Sequence, residues 1–240
     1  MQIKKITILQ KKIEVFKKMN VVHSYMNGGK IPLREQKRQN LVDTATELLE
    51  EYRYHEITLD VIAKRVGGTK SNLYHYFKSK EELYLEVYLQ QEARSVEIIE
   101  QKLSKWMNTN NYEAVVETIA HVMATNKVMN ALAALLGTTL TQNISDQMAK
   151  NCENQTNNSV LRVSKSILSA LPVLTFFEVE EFIVYTIALY NGLWAEVIAS
   201  ERYKQIFKEM KGSLSDETFC EQLQGGMLLM MKGLFEGKNI

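Results

Sequence analysis

Only two prolines, Pro32 and Pro172, interrupt a chain of 240 residues. Proline removes a helical hydrogen bond and its ring clashes with the preceding turn, so its near-absence leaves room for long helices. The apolar residues recur at the spacing such helices need. Leu41, Ala45, Leu48 and Tyr52 follow one another at steps of 4, 3 and 4. Ile183, Ile187, Tyr190, Trp194 and Val197 repeat at 4, 3, 4 and 3, and Phe219, Leu223, Met227, Met230 and Leu234 at 4, 4, 3 and 4. No segment of useful length alternates with period two, and no repeat of solenoid length is present. The expected fold class is all-α.

Capping residues mark where the helices begin. Thr58 precedes Leu59, Ile62, Ala63 and Val66, and a threonine hydroxyl there accepts a hydrogen bond from an orphan backbone N–H. Gly67-Gly68 ends that short helix, because glycine tolerates the left-handed conformation of a helix terminus. Thr69 caps the next helix, expected over Lys70–Phe77, and Ser79 with Glu81 and Glu82 starts another that runs to about Met107. Asn111 caps a helix to about Asn126, and residues 128–144, rich in Ala and Leu, predict the next. The remaining helices are expected to end at Pro172 and to cover 178–200 and 216–236.

The formal net charge of +1 hides an asymmetry. Residues 1–40 hold Lys4, Lys5, Lys11, Lys12, Lys17, Lys18, Lys30, Arg34, Lys37 and Arg38 against Glu14 and Glu35, a net +8, which leaves −7 on the rest. A basic end on an acidic body fits a polyanion or membrane surface, or simply a solvated lysine-rich tail. Ile6, Leu9, Ile13 and Phe16 suggest an amphipathic helix over residues 3–19, and Asn27-Gly28-Gly29 breaks it. Residues 1–33 are thus expected to form a basic arm outside the main fold. Met19 and Met26 are alternative starting points for the chain.

Two short helices joined by a glycine turn, after a longer one, make a helix-turn-helix. Between Thr69 and Lys80 there are three lysines and no acid. Leu73 and Phe77, four residues apart, anchor the second helix, which leaves Lys70, Ser71, Asn72, Tyr74, His75 and Tyr76 exposed to a major groove. The run Thr69-Lys70-Ser71-Asn72-Leu73-Tyr74-His75-Tyr76-Phe77-Lys78-Ser79-Lys80-Glu81-Glu82-Leu83 resembles the signature of the TetR family of repressors. The resemblance covers about residues 34–88. It implies that Thr58 and Lys80 hold phosphates while Lys70, Ser71, Asn72, Tyr74 and His75 face the groove. The chain departs from the pattern at Arg53 (usually glycine), Gly68 (usually valine), Ser71 (often glycine) and His75-Tyr76, which stand in swapped order.

The resemblance also implies a helix-turn-helix domain over 34–80 and a helical ligand-binding and dimerisation domain over 81–240. The last two helices would pair with those of a second subunit in a homodimer on a pseudo-palindromic, double-stranded operator, and a small-molecule effector would bind among the middle helices. By residue type, that effector site is expected to use Met123, Met129, Leu136, Thr139, Gln142, Asn143, Tyr185, Tyr190 and Trp194. Methionine adapts to apolar ligands and a few polar groups orient them. The expected effector is therefore small and largely apolar, and its binding releases the DNA.

Other classes find little support. There is no phosphate loop, no H-E-x-x-H and no Cys/His cluster, and none of the four histidines (His23, His55, His75, His121) pairs with a recognisable nucleophile. The sequence therefore predicts no catalysis, no metal and no cofactor. Cys152 and Cys220 lie far apart and are expected to be free thiols in a reducing cytosol. No run of about 18 apolar residues is present, so a cytoplasmic protein without stable membrane association is expected.

Overall fold

The structure, a computed structural model, describes residues 32–206 and 216–238. The expected amphipathic helix over 3–19 and the break at Asn27-Gly28-Gly29 lie outside the described residues. Nine α-helices are found among those described, and no strand. They are α1 (Leu33–Glu51), α2 (Leu59–Arg65), α3 (Lys70–Tyr74), α4 (Lys80–Leu103), α5 (Tyr112–Thr125), α6 (Lys127–Ala133), α7 (Asp146–Ala170), α8 (Phe176–Ile206) and α9 (Asp216–Phe235). The all-α expectation holds.

Residues up to Gln39 form one unit and those from Asn40 onward another. In the first, the carbonyl of Pro32 accepts from the N–H groups of Glu35 and Gln36, which opens α1, and Glu35 pairs with Arg38 one turn on.

In the second unit the expected caps form. Thr58 Oγ1 accepts from Val61 N, Thr69 Oγ1 from Asn72 N, Ser79 Oγ from Glu82 N and Asn111 Oδ1 from Ala114 N. At the end of α2, Gly67 takes φ +69, Gly67 N donates to Lys64 O and Gly68 N to Ala63 O. This pair of bonds satisfies carbonyls that the helix end would leave orphaned, and only the residue at 67 needs the left-handed region. Gly68 carries no such demand. An added Cβ there would meet Ala63 O and Val66 Cγ2 at 3.7 Å, an ordinary contact. At Arg53 the backbone is extended with a negative φ, and its N–H donates to Glu56, so α1 ends without a glycine.

Several boundaries differ from expectation. Residues 128–144 are not one helix. The helix stops at Ala133 and the chain widens into a π-type turn over Leu136–Leu140, with Leu140 N bonded to Leu135 O. Gly137, Thr138 and Thr139 are poor helix residues, and Asn143 then turns the chain at φ 56. Helix α4 ends at Leu103 rather than Met107. Asn108 and Asn110, both at positive φ, donate their N–H groups to Ser169 O and Ala170 O at the end of α7.

Two principal cores result. The first joins Leu41, Ala45, Leu48, Ile62, Leu73 and Phe77 to Leu83, Tyr84 and Val87 of α4 and to Val128 and Leu132 of α6. The second gathers α5, α8 and α9 around Ile119, Phe182, Tyr190, Phe219, Leu223 and Met227. Helix α6 serves both, since Met129 and Ala133 belong to the second core. The apolar stripes are close to expectation but rotated. On α8, Thr186 is buried and Ile187 is exposed; on α9, Met231 and Phe235 are buried where Met230 and Leu234 are only partly so. Where α8 and α9 cross, a Cβ on Gly226 would come within 2.5 Å of Leu189, so that side chain would have to shift.

Candidate nucleic-acid interface

The second helix of the helix-turn-helix, α3, lies on the surface. Leu73 and Phe77 are buried in the first core and anchor it, as their spacing requires. Thr69, Lys70, Ser71, Asn72, Tyr74 and His75 are exposed, with Tyr74 at 48%. Tyr76 is half-buried and packs against the core, so the swapped order at 75 and 76 leaves the histidine outside and the second tyrosine inward. Thr58 is exposed at the start of α2. The helix is shorter than expected, ending at Tyr74, although Tyr76 N and Phe77 N both still reach Leu73 O.

Two of the basic groups have partners within the protein. Lys70 Nζ lies 3.7 Å from Asp60 Oδ2, with both side chains largely exposed, so the pair is weak and open to exchange for a phosphate. Lys80 is held more firmly. Its Nζ donates to Tyr54 O and sits 3.7 Å from the centre of the Tyr54 ring, a cation–π contact. Burial pulls its pKa down, and the Glu81 carboxylate opposes that shift. Lys80 therefore braces the end of the motif, a role its position in the sequence did not announce.

Behind α3 sits a group the sequence reading missed. Glu82 is 6% exposed, and its carboxylate accepts from Lys78 N and from Ser145 N, each at 2.8 Å. Burial alone would raise its pKa, but the bonds from Ser145 and Lys78 outweigh it and the net shift is downward. One carboxylate thus ties the segment following α3 to the loop preceding α7. Glu82 reads as an ordinary acidic residue near a helix start, and only the fold brings residue 145 to it.

The residues expected to hold an effector separate into two sets. Met129 and Tyr190 are buried in the second core, and Met123 and Trp194 pack against it. Tyr190 Oη donates to Asn130 Oδ1, and Phe219 meets the rings of Tyr190 and Trp194 edge-on at 5.7 and 5.0 Å. Thr186 Oγ1 and Trp194 Nε1, on the same helix, are buried with no hydrogen-bond partner. Leu136 packs with Leu85 and Leu89, Thr139 lies in the π-type turn, and Gln142 and Asn143 are exposed in the loop beyond it. Tyr185 is 55% exposed. It precedes Tyr190 by five residues, about 140° around the helix, so the two rings cannot share a face. Asn130 and Thr186 are the polar groups of this core that sequence reasoning passed over.

Among the described residues, large apolar side chains also remain exposed along α8 and α9, with Val184 at 60% and Leu229 at 74%. Ala188, Gly192, Gly225 and Gly233 are exposed beside them at helical spacing. No described helix is long and apolar enough to cross a membrane.

Residues 41–87 match the model for bacterial regulatory proteins of the tetR family, and residues 90–238 match the tetracyclin repressor-like C-terminal domain. The HTH-type transcriptional activator FasR of Mycolicibacterium smegmatis is 42% identical over 60 residues, 25% of this chain and 27% of that protein. The fatty acid metabolism regulator protein of Bacillus subtilis is 28% identical over 69 residues, 29% of this chain and 36% of that protein. The chain thus spans about a third or less of the length of each of these curated relatives. A tetR-family transcriptional regulator from Streptomyces coelicolor superimposes with a TM-score of 0.54 at 16% identity, covering 84% of this chain and 82% of that one. The fatty acid degradation regulator FadR from Bacillus halodurans gives 0.52 at 13%, covering 84% and 99%. At these identities the solved structures show a common fold.

Proposed function

This chain belongs to the tetR family of bacterial regulatory proteins, whose members are DNA-binding regulators rather than enzymes, and on that premise we propose that it is a homodimeric repressor released from its operator by a small, largely apolar effector. The observation that carries the reading is the exposure of Lys70, Ser71, Asn72, Tyr74 and His75 on a helix whose Leu73 and Phe77 are locked into the core. Asparagine, lysine and serine donate to base edges and phosphates, and tyrosine adds an apolar ring at low entropic cost. Thr58, Thr69 and Lys80 support the backbone contacts, and Tyr76 acts by packing. The helix-turn-helix domain covers residues 34–80 and the effector and dimer domain 81–240.

The exposed stripe of Val184, Tyr185 and Leu229, flanked by small residues, supports dimerisation through α8 and α9, because such a surface favours burial against a copy of itself. Two-fold symmetry then sets two α3 helices one DNA turn apart, roughly 34–36 Å. The effector enters the second core near Met123, Met129, Tyr190 and Trp194, where flexible methionines make room and the unpaired Trp194 N–H and Thr186 hydroxyl meet its polar end. An acyl chain with an oxygen-bearing head group suits that lining, and the names of the fatty acid regulators among the relatives point the same way. The test is selection of bound DNA from a random pool, then titration of the complex with fatty acids and their thioesters. A palindromic consensus released by a long-chain ligand is expected. Tighter binding on ligand addition, with activation from a reporter as the name of FasR would suggest, overturns the repressor reading.

A further inference from the structure

A cleft of about 310 Å³ opens between α4 and α5, lined by Arg94, Lys102 and His121 together with Ile98 and Val122. None of its lining residues is an acid. The three basic side chains are exposed, and none takes part in an ion pair among the described residues. Residues 41–240 carry a net −7, and the three basic groups of the cleft meet no carboxylate in its lining, whereas Arg162 sits on Glu100 and Lys238 on Glu178. An uncompensated basic cleft in an acidic body concentrates anions, and a guanidinium offers a carboxylate or phosphate two parallel bonds.

We propose that this cleft binds a small organic anion, separately from the effector core, and that its occupancy tunes DNA affinity. Arg94 and Lys102 are eight residues apart on α4, about 12 Å along the helix. Ile98 lies midway and Val122 faces the same cleft, so the ligand is a carboxylate or phosphate carried on a compact apolar body. Coupling follows from Asn126, which also lines the cleft. Its Nδ2 donates to Ser95 Oγ at 3.0 Å, while its Oδ1 accepts from Met129 N and caps α6. Helix α6 then places Val128 and Leu132 in the core of the helix-turn-helix. An anion that shifts Ser95 or Asn126 moves the start of α6, and linkage requires DNA to change the anion's affinity in return.

The test uses the full-length protein and ¹⁹F line broadening of 4-fluorobenzoate and 4-fluorophenyl phosphate, with neutral 4-fluorobenzamide as control. The proposal expects saturable binding of at least one anion, at least tenfold tighter than the amide. That binding falls at least tenfold in the Arg94→Gln/Lys102→Gln variant and is unchanged in Tyr190→Phe, with melting temperatures checking that each variant folds. The tighter anion identifies the head group. Equal binding of anions and amide, anion binding undiminished in the double variant, or loss of binding in Tyr190→Phe overturns the site. Affinity for DNA selected in vitro should change several-fold with the anion in the wild type and not in the double variant. Anion binding that leaves DNA affinity unchanged overturns the coupling. Failure to select any DNA bears on the proposed function and leaves the anion result standing by itself.

Discussion

Replacing Glu82 with alanine removes a carboxylate that receives two backbone N–H groups at 2.8 Å from segments 67 residues apart in the chain, Lys78 and Ser145. A hydrogen bond to an ionised partner contributes about 1.5–3 kcal/mol, and a buried donor left unpaired costs about 1–3 kcal/mol. Lys78 is exposed, so water can replace part of one bond, and we expect a net loss of about 2–4 kcal/mol. For a protein of this size each kcal/mol lowers the melting temperature by about 2–4 °C, which puts the fall on the order of 5–10 °C. Glu82→Gln should lose roughly half as much, because one amide oxygen can serve only one of the N–H groups well. The pH dependence follows from the depressed pKa. With the folded value below the ordinary 4.5, the carboxylate's contribution is complete above 4.5 and is lost as pH falls through the folded value. The gap between wild type and Glu82→Ala should therefore be constant above about pH 5.5 and close in more acid solution. Thermal melts followed by circular dichroism over pH 3–8 measure both. A melting temperature within 1 °C of wild type at pH 7, or a gap that does not change with pH, refutes the reasoning.

Glu92 carries the opposite sign. Burial raises its pKa against the lowering by the Ser159 hydroxyl, so its ionised form is a liability that grows as pH rises through the folded value. Glu92→Gln keeps an acceptor for Ser159 and should raise the melting temperature at pH 7, with the advantage shrinking toward pH 4. Tyr190→Phe leaves Asn130 Oδ1 buried without its donor and should cost about 1–3 kcal/mol by denaturant unfolding. Asn72→Ala and Tyr74→Ala should weaken selected DNA by about 1–3 kcal/mol while sparing random DNA, as read by fluorescence anisotropy. Lys80→Ala should weaken all DNA alike and also lower the melting temperature, since it removes the brace on Tyr54.

Much of this protein follows from local chemistry. Thr58, Thr69 and Ser79 each cap the helix their sequence context announces, and Gly67 takes the left-handed turn that its place after α2 demands. Leu73 and Phe77 anchor α3, and so its polar side faces outward. Each of these depends on residues within about four positions, so the order of residues decides them. The rest depends on neighbours far along the chain. That Tyr185 faces out while Tyr190 faces in, and that the helix expected over 128–144 breaks so that α6 can serve two cores, is settled by which helices pack against those segments. The buried Glu82 is the clearest case. Its type and spacing suggest surface charge beside a helix start, and only the return of the chain at Ser145 makes it a bonded, low-pKa group. Periodicity specifies a face for each helix, but a hydrogen bond across 63 residues needs the tertiary path that brings its two ends together.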